Sequence, residues 1–162
     1  MTTPLSNARS SAFEALLEHM FLVDVLQIGW NKKTPVDVLH GDVDDAGYDV
    51  VLEVGSVVRH VQLKSKASTA TTRKVGIHAL LQNKPNACLV HMTHSNKSGS
   101  IGIEYRVFGP PAGQGQFTIP PGALNSRAPG KPGKQRQNTF DLSLSQLQGP
   151  LNAQDLFKFL FQ

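Results

Sequence analysis

A single cysteine in 162 residues excludes an internal disulfide and leaves no thiolate set for a zinc cluster. Cys88 lies in the apolar run from Ala87 to Met92 and reads as a buried core residue. No uninterrupted apolar stretch approaches the ~18 residues of a membrane span, and the opening Met1 to Ser11 has no basic segment running into an apolar one. A membrane helix and a secretory signal are therefore not expected, and a soluble, cytoplasmic protein is. No internal repeat occurs, which argues against a solenoid.

What is present suits one domain over residues 1–162, since 40% hydrophobic residues suffice for a single core. The net charge of +4 is unevenly spread. Residues 1–66 hold nine of the twelve acidic and six of the sixteen basic residues, a net of −3, against +7 for the remainder. An acidic cluster beside a basic surface is what a metal site next to a polyanion track requires.

Apolar residues at Phe13, Leu16, Leu17, Met20 and Phe21 predict a first helix, with Ser10 or Ser11 as its cap and Gly29 as its stop. Residues 34–40 predict a short strand, and 41–47 an acidic turn loop. Two β-branched runs, 48–54 and 57–65, flank Gly55-Ser56 and predict a tight hairpin. A second helix is expected over 73–85. Residues 86–94 read as a strand buried on both faces, and 101–109 as another strand. From Pro110 to Asn138 the chain is rich in Pro, Gly, Gln and basic residues, so an irregular excursion is expected, with a short strand at 116–120. A strand or turn over 138–147 and a closing amphipathic helix follow. Strands alternating with helices predict an α/β fold in the order α-β-β-β-α-β-β with a terminal helix.

A two-residue turn at Gly55-Ser56 sets Val54 against Val57, and continuing that pairing puts Asp49 across from Gln62. Asp49, Val51, Glu53, Val58, His60, Gln62 and Lys64 then share one side, and Val50, Leu52, Val54, Val57, Val61 and Leu63 the core side. Directly opposed Cβ atoms lie about 5 Å apart, so Asp49 and Gln62 come within reach of one ion, with Lys64 diagonal to them. Asp49 offers a carboxylate, Gln62 a side-chain carbonyl and Leu63 its main-chain carbonyl, an oxygen set suited to Mg²⁺ or alternatively Mn²⁺. In phosphodiester hydrolysis such an ion polarises the phosphate and activates water, while a lysine such as Lys64 stabilises the developing charge. A strand lysine or a turn aspartate alone is an ordinary surface residue; their combination points to chemistry.

The segment resembles the PD-(D/E)XK, or restriction-endonuclease-like, nuclease superfamily. The likeness rests on Asp49 within Gly47-Tyr48-Asp49, the hairpin, and Gln62-Leu63-Lys64 followed by Ser65. It extends more loosely over roughly the first 95 residues. Gln62 stands where the family usually has an acidic residue, a Gln-X-Lys variant known among some homing and restriction-type enzymes, and leaves one carboxylate fewer for the metal. The resemblance implies a three-layer core with a mixed central sheet flanked by helices, and a Mg²⁺-dependent endonuclease acting on DNA, with RNA as the other polymer. It also implies a further acidic ligand from the first helix, for which Glu18 and Glu14 are candidates, four apart on one face.

Lys66, Arg73, Lys74 and the basic loop residues Arg127, Lys131, Lys134 and Arg136 are candidates for phosphate contacts. Cutting both strands of a duplex with one metal site implies a homodimer or two binding events. Two other classes share the fold: a non-catalytic nucleic-acid-binding module, and an interaction protein such as a toxin or immunity partner. His91 and His94, three apart, lack two further ligands for zinc and read as core or edge residues. The glycines of 109–115 do not join a strand to a helix, so no nucleotide loop is expected.

Overall fold

The computed structural model describes residues 4–41, 47–127, 130 and 132–162; the acidic loop residues 42–46 and Lys131 lie outside the described residues. The first helix, α1, spans Pro4–Asn31. It starts ahead of the expected serine caps, with proline in its first turn, where a missing N–H costs no helix bond. Leu17, Phe21, Val25 and Ile28 recur at three- and four-residue intervals and are buried, each such side chain contributing about 1.5–3 kcal/mol. The helix runs past the expected stop at Gly29. Thr34 N–H donates to Gly29 O at 2.8 Å and Lys33 N–H to Trp30 O at 3.0 Å, with Lys33 at φ 57° closing the end. Gly29 is still required, because a Cβ there would meet Thr34 O and Val36 at 2.7 Å.

The strands follow as β1 Asp37–His40, β2 Val50–Val54, β3 Val57–Ala67, β4 Lys74–His78, β5 Ala87–Lys97, β6 Ser100–Phe108, β7 Asn125–Arg127, β8 Gln135–Ser143 and β9 Gln148–Leu151; α2, Ala153–Phe161, closes the chain. A six-stranded sheet runs β1-β2-β3-β5-β6-β9, with β3 and β5 parallel and the other neighbours antiparallel. Between β3 and β5 the chain leaves this sheet, and β4 joins β8 and β7 in a second, three-stranded sheet. The fold is α/β with a mixed central sheet.

Two cores rest on opposite faces of the large sheet. Cys88, Val90 and Met92 of β5 pack with α1 and α2, whereas Ala87 and Leu89 pack with Val75, Ile77, Leu81, Phe117 and Leu142. This double burial bears out the continuous apolar run as an interior strand. Both helices thus cover one face. The expectation of helices flanking both faces is corrected: the small sheet and a 3₁₀ turn at Ala79–Asn83 cover the other.

The second helix expected over 73–85 is replaced by β4 and that 3₁₀ turn. Val75 and Ile77 are buried and alternate with Lys74, Gly76 and His78, the period of a strand. No strand forms at 116–120, although Phe117 is fully buried in the second core. The excursion instead contributes β7 and the start of β8. On the helix side, Tyr105 Oη donates to Asp24 Oδ2 at 2.6 Å, tying α1 to β6. Burial first, and the Asp24 carboxylate second, push the Tyr105 hydroxyl well above its ordinary pKa.

Candidate functional site

The hairpin pairs as the turn predicts, from Val54 with Val57 to Val50 with Val61. Gly55, at φ 58°, supplies the left-handed turn position. Beyond Val50 the expected register does not continue. Asp49 N–H donates to Val61 O at 2.9 Å, although Val61 is already the ladder partner of Val50. Two residues of one strand opposing one of the other is the arrangement of a β-bulge. Tyr48 takes the side that strict alternation assigns to Asp49: it packs with the second core, edge-on to His60 at 5.0 Å between ring centroids. Asp49 is turned toward α1 instead.

β3 outruns β2 at this end, since their ladder stops at Val61 while β3 continues to Ala67. The exposed edge is closed by a side chain. Asp49 Oδ2 accepts the N–H of Leu63 at 2.6 Å. In an extended strand the N–H and C=O of one residue point the same way, so the Leu63 carbonyl opens on the same edge as Asp49.

A cleft of about 440 Å³ lies between α1 and this edge, lined by Glu14, Glu18, Asp49, Leu63, Lys64 and Ser65 among others. Glu14 and Glu18 reach it from successive turns of one helix face, Glu14 exposed and Glu18 half-buried. Glu18 Oε1 lies 3.0 Å from His40 Nε2 at the end of β1, so the helix carboxylate is held on the sheet edge. Five of the residues singled out from the sequence thus border one cleft.

Gln62 does not line it. It is buried on the opposite face, where its Oε1 accepts the N–H of His78 on β4 at 3.1 Å. The expectation that Asp49 and Gln62 stand opposed is corrected, because the bulge moves Asp49 to the helix side while Gln62 faces the small sheet.

The carboxylates of Glu14, Glu18 and Asp49 and the Leu63 carbonyl offer oxygens to the cleft, the set a hard divalent cation takes. Among the described residues no three His, Cys, Asp or Glu side chains form a metal-holding group. A cation here would draw on one or two carboxylates, the Leu63 carbonyl and water, as Mg²⁺ commonly does.

The basic candidates fall into separate groups. Lys66 Nζ donates to Thr72 O at 3.1 Å, closing its own loop. Arg73 and Lys74 are exposed and lead into β4, not into a helix. Arg127, Lys134 and Arg136 are exposed where β7 meets the start of β8, with Arg127 paired to Gln135. Lys74 pairs with Ser143 at the far end of β8, about 26 Å away at strand rise.

Two residues escaped the sequence reading. His40 gave no signal beyond ending a short strand. Arg59 is fully buried on the core side of the hairpin, its guanidinium 5.1 Å from the Phe159 ring centroid and donating to Pro110 O at 3.1 Å. Its place between Val57 and Val61 in the alternation carried the signal. His91 is buried and His94 stacks edge-on to Phe13, which agrees with their reading as core and edge residues. Burial, then the charges of Lys66 and Arg106, lower the His91 pKa to about 4.

No family model, curated protein or solved structure matches the chain. The geometry of the cleft therefore stands by itself as the guide to function.

Proposed function

We propose that the protein is a metal-dependent endonuclease hydrolysing phosphodiester bonds in DNA, of the restriction-endonuclease-like kind that its sequence resembles. One observation carries the reading: a single cleft is bordered by Glu14, Glu18, Asp49, Lys64 and the Leu63 strand edge. Carboxylate and carbonyl oxygens beside a lysine suit a cation together with a phosphate.

In this reading Asp49, Glu18 and the Leu63 carbonyl hold Mg²⁺ or Mn²⁺, with Glu14 as the alternative helix ligand. When bound, such an ion polarises the phosphate and makes hydroxide available near neutral pH. Lys64 donates to the phosphate oxygens and stabilises charge as the bond to the leaving oxygen breaks. The His40 contact keeps the Glu18 carboxylate at the sheet edge, and Leu63 N–H does the same for Asp49. Gln62 is left out of the ligand set and joins β3 to β4 instead. Arg73, Lys74, Arg127, Lys134 and Arg136 are exposed and available to the DNA backbone.

The test is incubation of supercoiled and linear DNA with wild type and Lys64→Ala, in Mg²⁺ or Mn²⁺ and again with EDTA. Wild type nicks or linearises the plasmid only with metal, and Lys64→Ala does so at least 100-fold more slowly. Identical products from both proteins overturn the enzyme reading. A salt-dependent gel shift without cleavage would assign a binding module.

A further inference from the structure

The outward face of α1 is an apolar feature that the cleft does not use. Leu16, Val23, Leu26 and Trp30 are 44%, 53%, 39% and 83% exposed. At 100° per residue they fall on one side of the helix, together with Ala12 and His19, opposite the buried Leu17, Phe21, Val25 and Ile28. No Asp, Glu, Lys or Arg stands on that side between Ala12 and Trp30. A solvated helix face ordinarily carries charge, and an apolar patch of this size marks a contact surface.

The choice of occupant follows from three observations. A helix lying on an anionic lipid surface flanks its apolar stripe with Lys and Arg. Residues 12–30 contain neither, and their charged residues are Glu14, Glu18 and Asp24. Second, the face is complementary to itself. Leu16 and Trp30 each stand seven residues from Val23, on opposite sides, so a two-fold axis at Val23 sets Leu16 of one copy against Trp30 of the other. The same axis sets His19 against Gln27, both exposed. His19 Nδ1 is engaged with Ala15 O at 2.6 Å, which leaves Nε2 for the glutamine amide. Third, the four apolar side chains expose roughly 450 Å² per copy, and with the smaller residues between them the face approaches the ~800 Å² per partner of a standard interface.

We propose that α1 pairs antiparallel with α1 of a second copy about Val23, making the protein a homodimer. The interface lies on the side of α1 away from the sheet, and the seven-residue spacing suits side-chain interdigitation between the two helices.

Trp30 is the only tryptophan, so its fluorescence reports directly on this face. Sedimentation at 1–100 µM is expected to give the dimer mass, with Trp30 emission shifting to the red on dilution. Val23→Glu is expected to be monomeric at 100 µM, with unchanged circular dichroism because Val23 lies outside the core. Val23→Cys is expected to form an interchain disulfide across the axis when oxidised glutathione is added as the oxidant. A monomer mass for wild type at 100 µM overturns the proposal. So does a Val23→Glu protein that remains dimeric, or a wild-type dimer in which Trp30 keeps the emission of solvated indole. DNA cleavage enters none of these readouts.

Discussion

Asp49 accepts the main-chain N–H of Leu63 at 2.6 Å, from a strand that its own hydrogen bond to Val61 has already put out of step. The carboxylate therefore has a structural partner as well as a place in the cleft. The two roles separate by substitution. Asp49→Asn keeps a carbonyl oxygen for Leu63 and is expected to hold thermal stability within about 0.5 kcal/mol, while Asp49→Ala loses about 1 kcal/mol. Both are expected to abolish metal-dependent cleavage. Wild-type cleavage by Asp49→Asn would remove the carboxylate from the ligand set.

Gln62 is expected to behave as a structural residue. Gln62→Ala leaves the partly buried His78 N–H without its acceptor, a loss of about 1–3 kcal/mol. For a chain of this size that lowers the melting temperature by roughly 2–4 °C per kcal/mol. Below the transition, the Mg²⁺ concentration giving half-maximal cleavage should stay within threefold of wild type. A rise beyond tenfold would make Gln62 a ligand.

His91 sets a pH dependence. Its folded pKa of about 4 lies below the ordinary 6.5 because burial, then Lys66 and Arg106, disfavour the charged ring. The unfolded chain binds this proton more readily, so the contribution is complete above about pH 6.5 and falls away toward pH 4. It amounts to about 2–3 kcal/mol. His91→Gln should flatten that part of the stability curve, measured by urea unfolding from pH 4 to 7. An unchanged slope would mean that His91 titrates normally.

Arg59 carries a buried charge with one hydrogen bond, and its Nε and other terminal nitrogen have no partner among the described residues. Arg59→Met keeps most of the volume and removes the charge, so it is expected within about 1 kcal/mol of wild type. Arg59→Ala opens a cavity beside Phe159 and should lose 3 kcal/mol or more. Urea midpoints for the two variants decide; equal losses would show that the guanidinium itself is what matters.

Much of this arrangement is legible in the chain. Gly55-Ser56 gives the hairpin its register, and the unbroken apolar run of β5 foretells burial on both faces. Helical spacing puts Glu14 and Glu18 together. The bulge at Asp49 is not legible, because it goes with Tyr48 packing against His60 and the second core, contacts that local sequence pattern does not encode. β4 itself was hidden by its continuation: Val75 and Ile77 alternate, but Ala79-Leu80-Leu81 after them carries a helical signal that the structure uses for one 3₁₀ turn. Phe117 shows the limit of pattern reading, since it fills a core from a segment with no periodicity.

The bulge and the turn stand at opposite ends of the hairpin. At the tip, a Cβ on Gly55 would meet nothing within 4 Å, and both turn residues are exposed. Val50 to Val54 remain locked to β1 and β3 by their ladders. A fluorophore attached through Ser56→Cys would therefore travel with the sheet while leaving the cleft's lining unaltered.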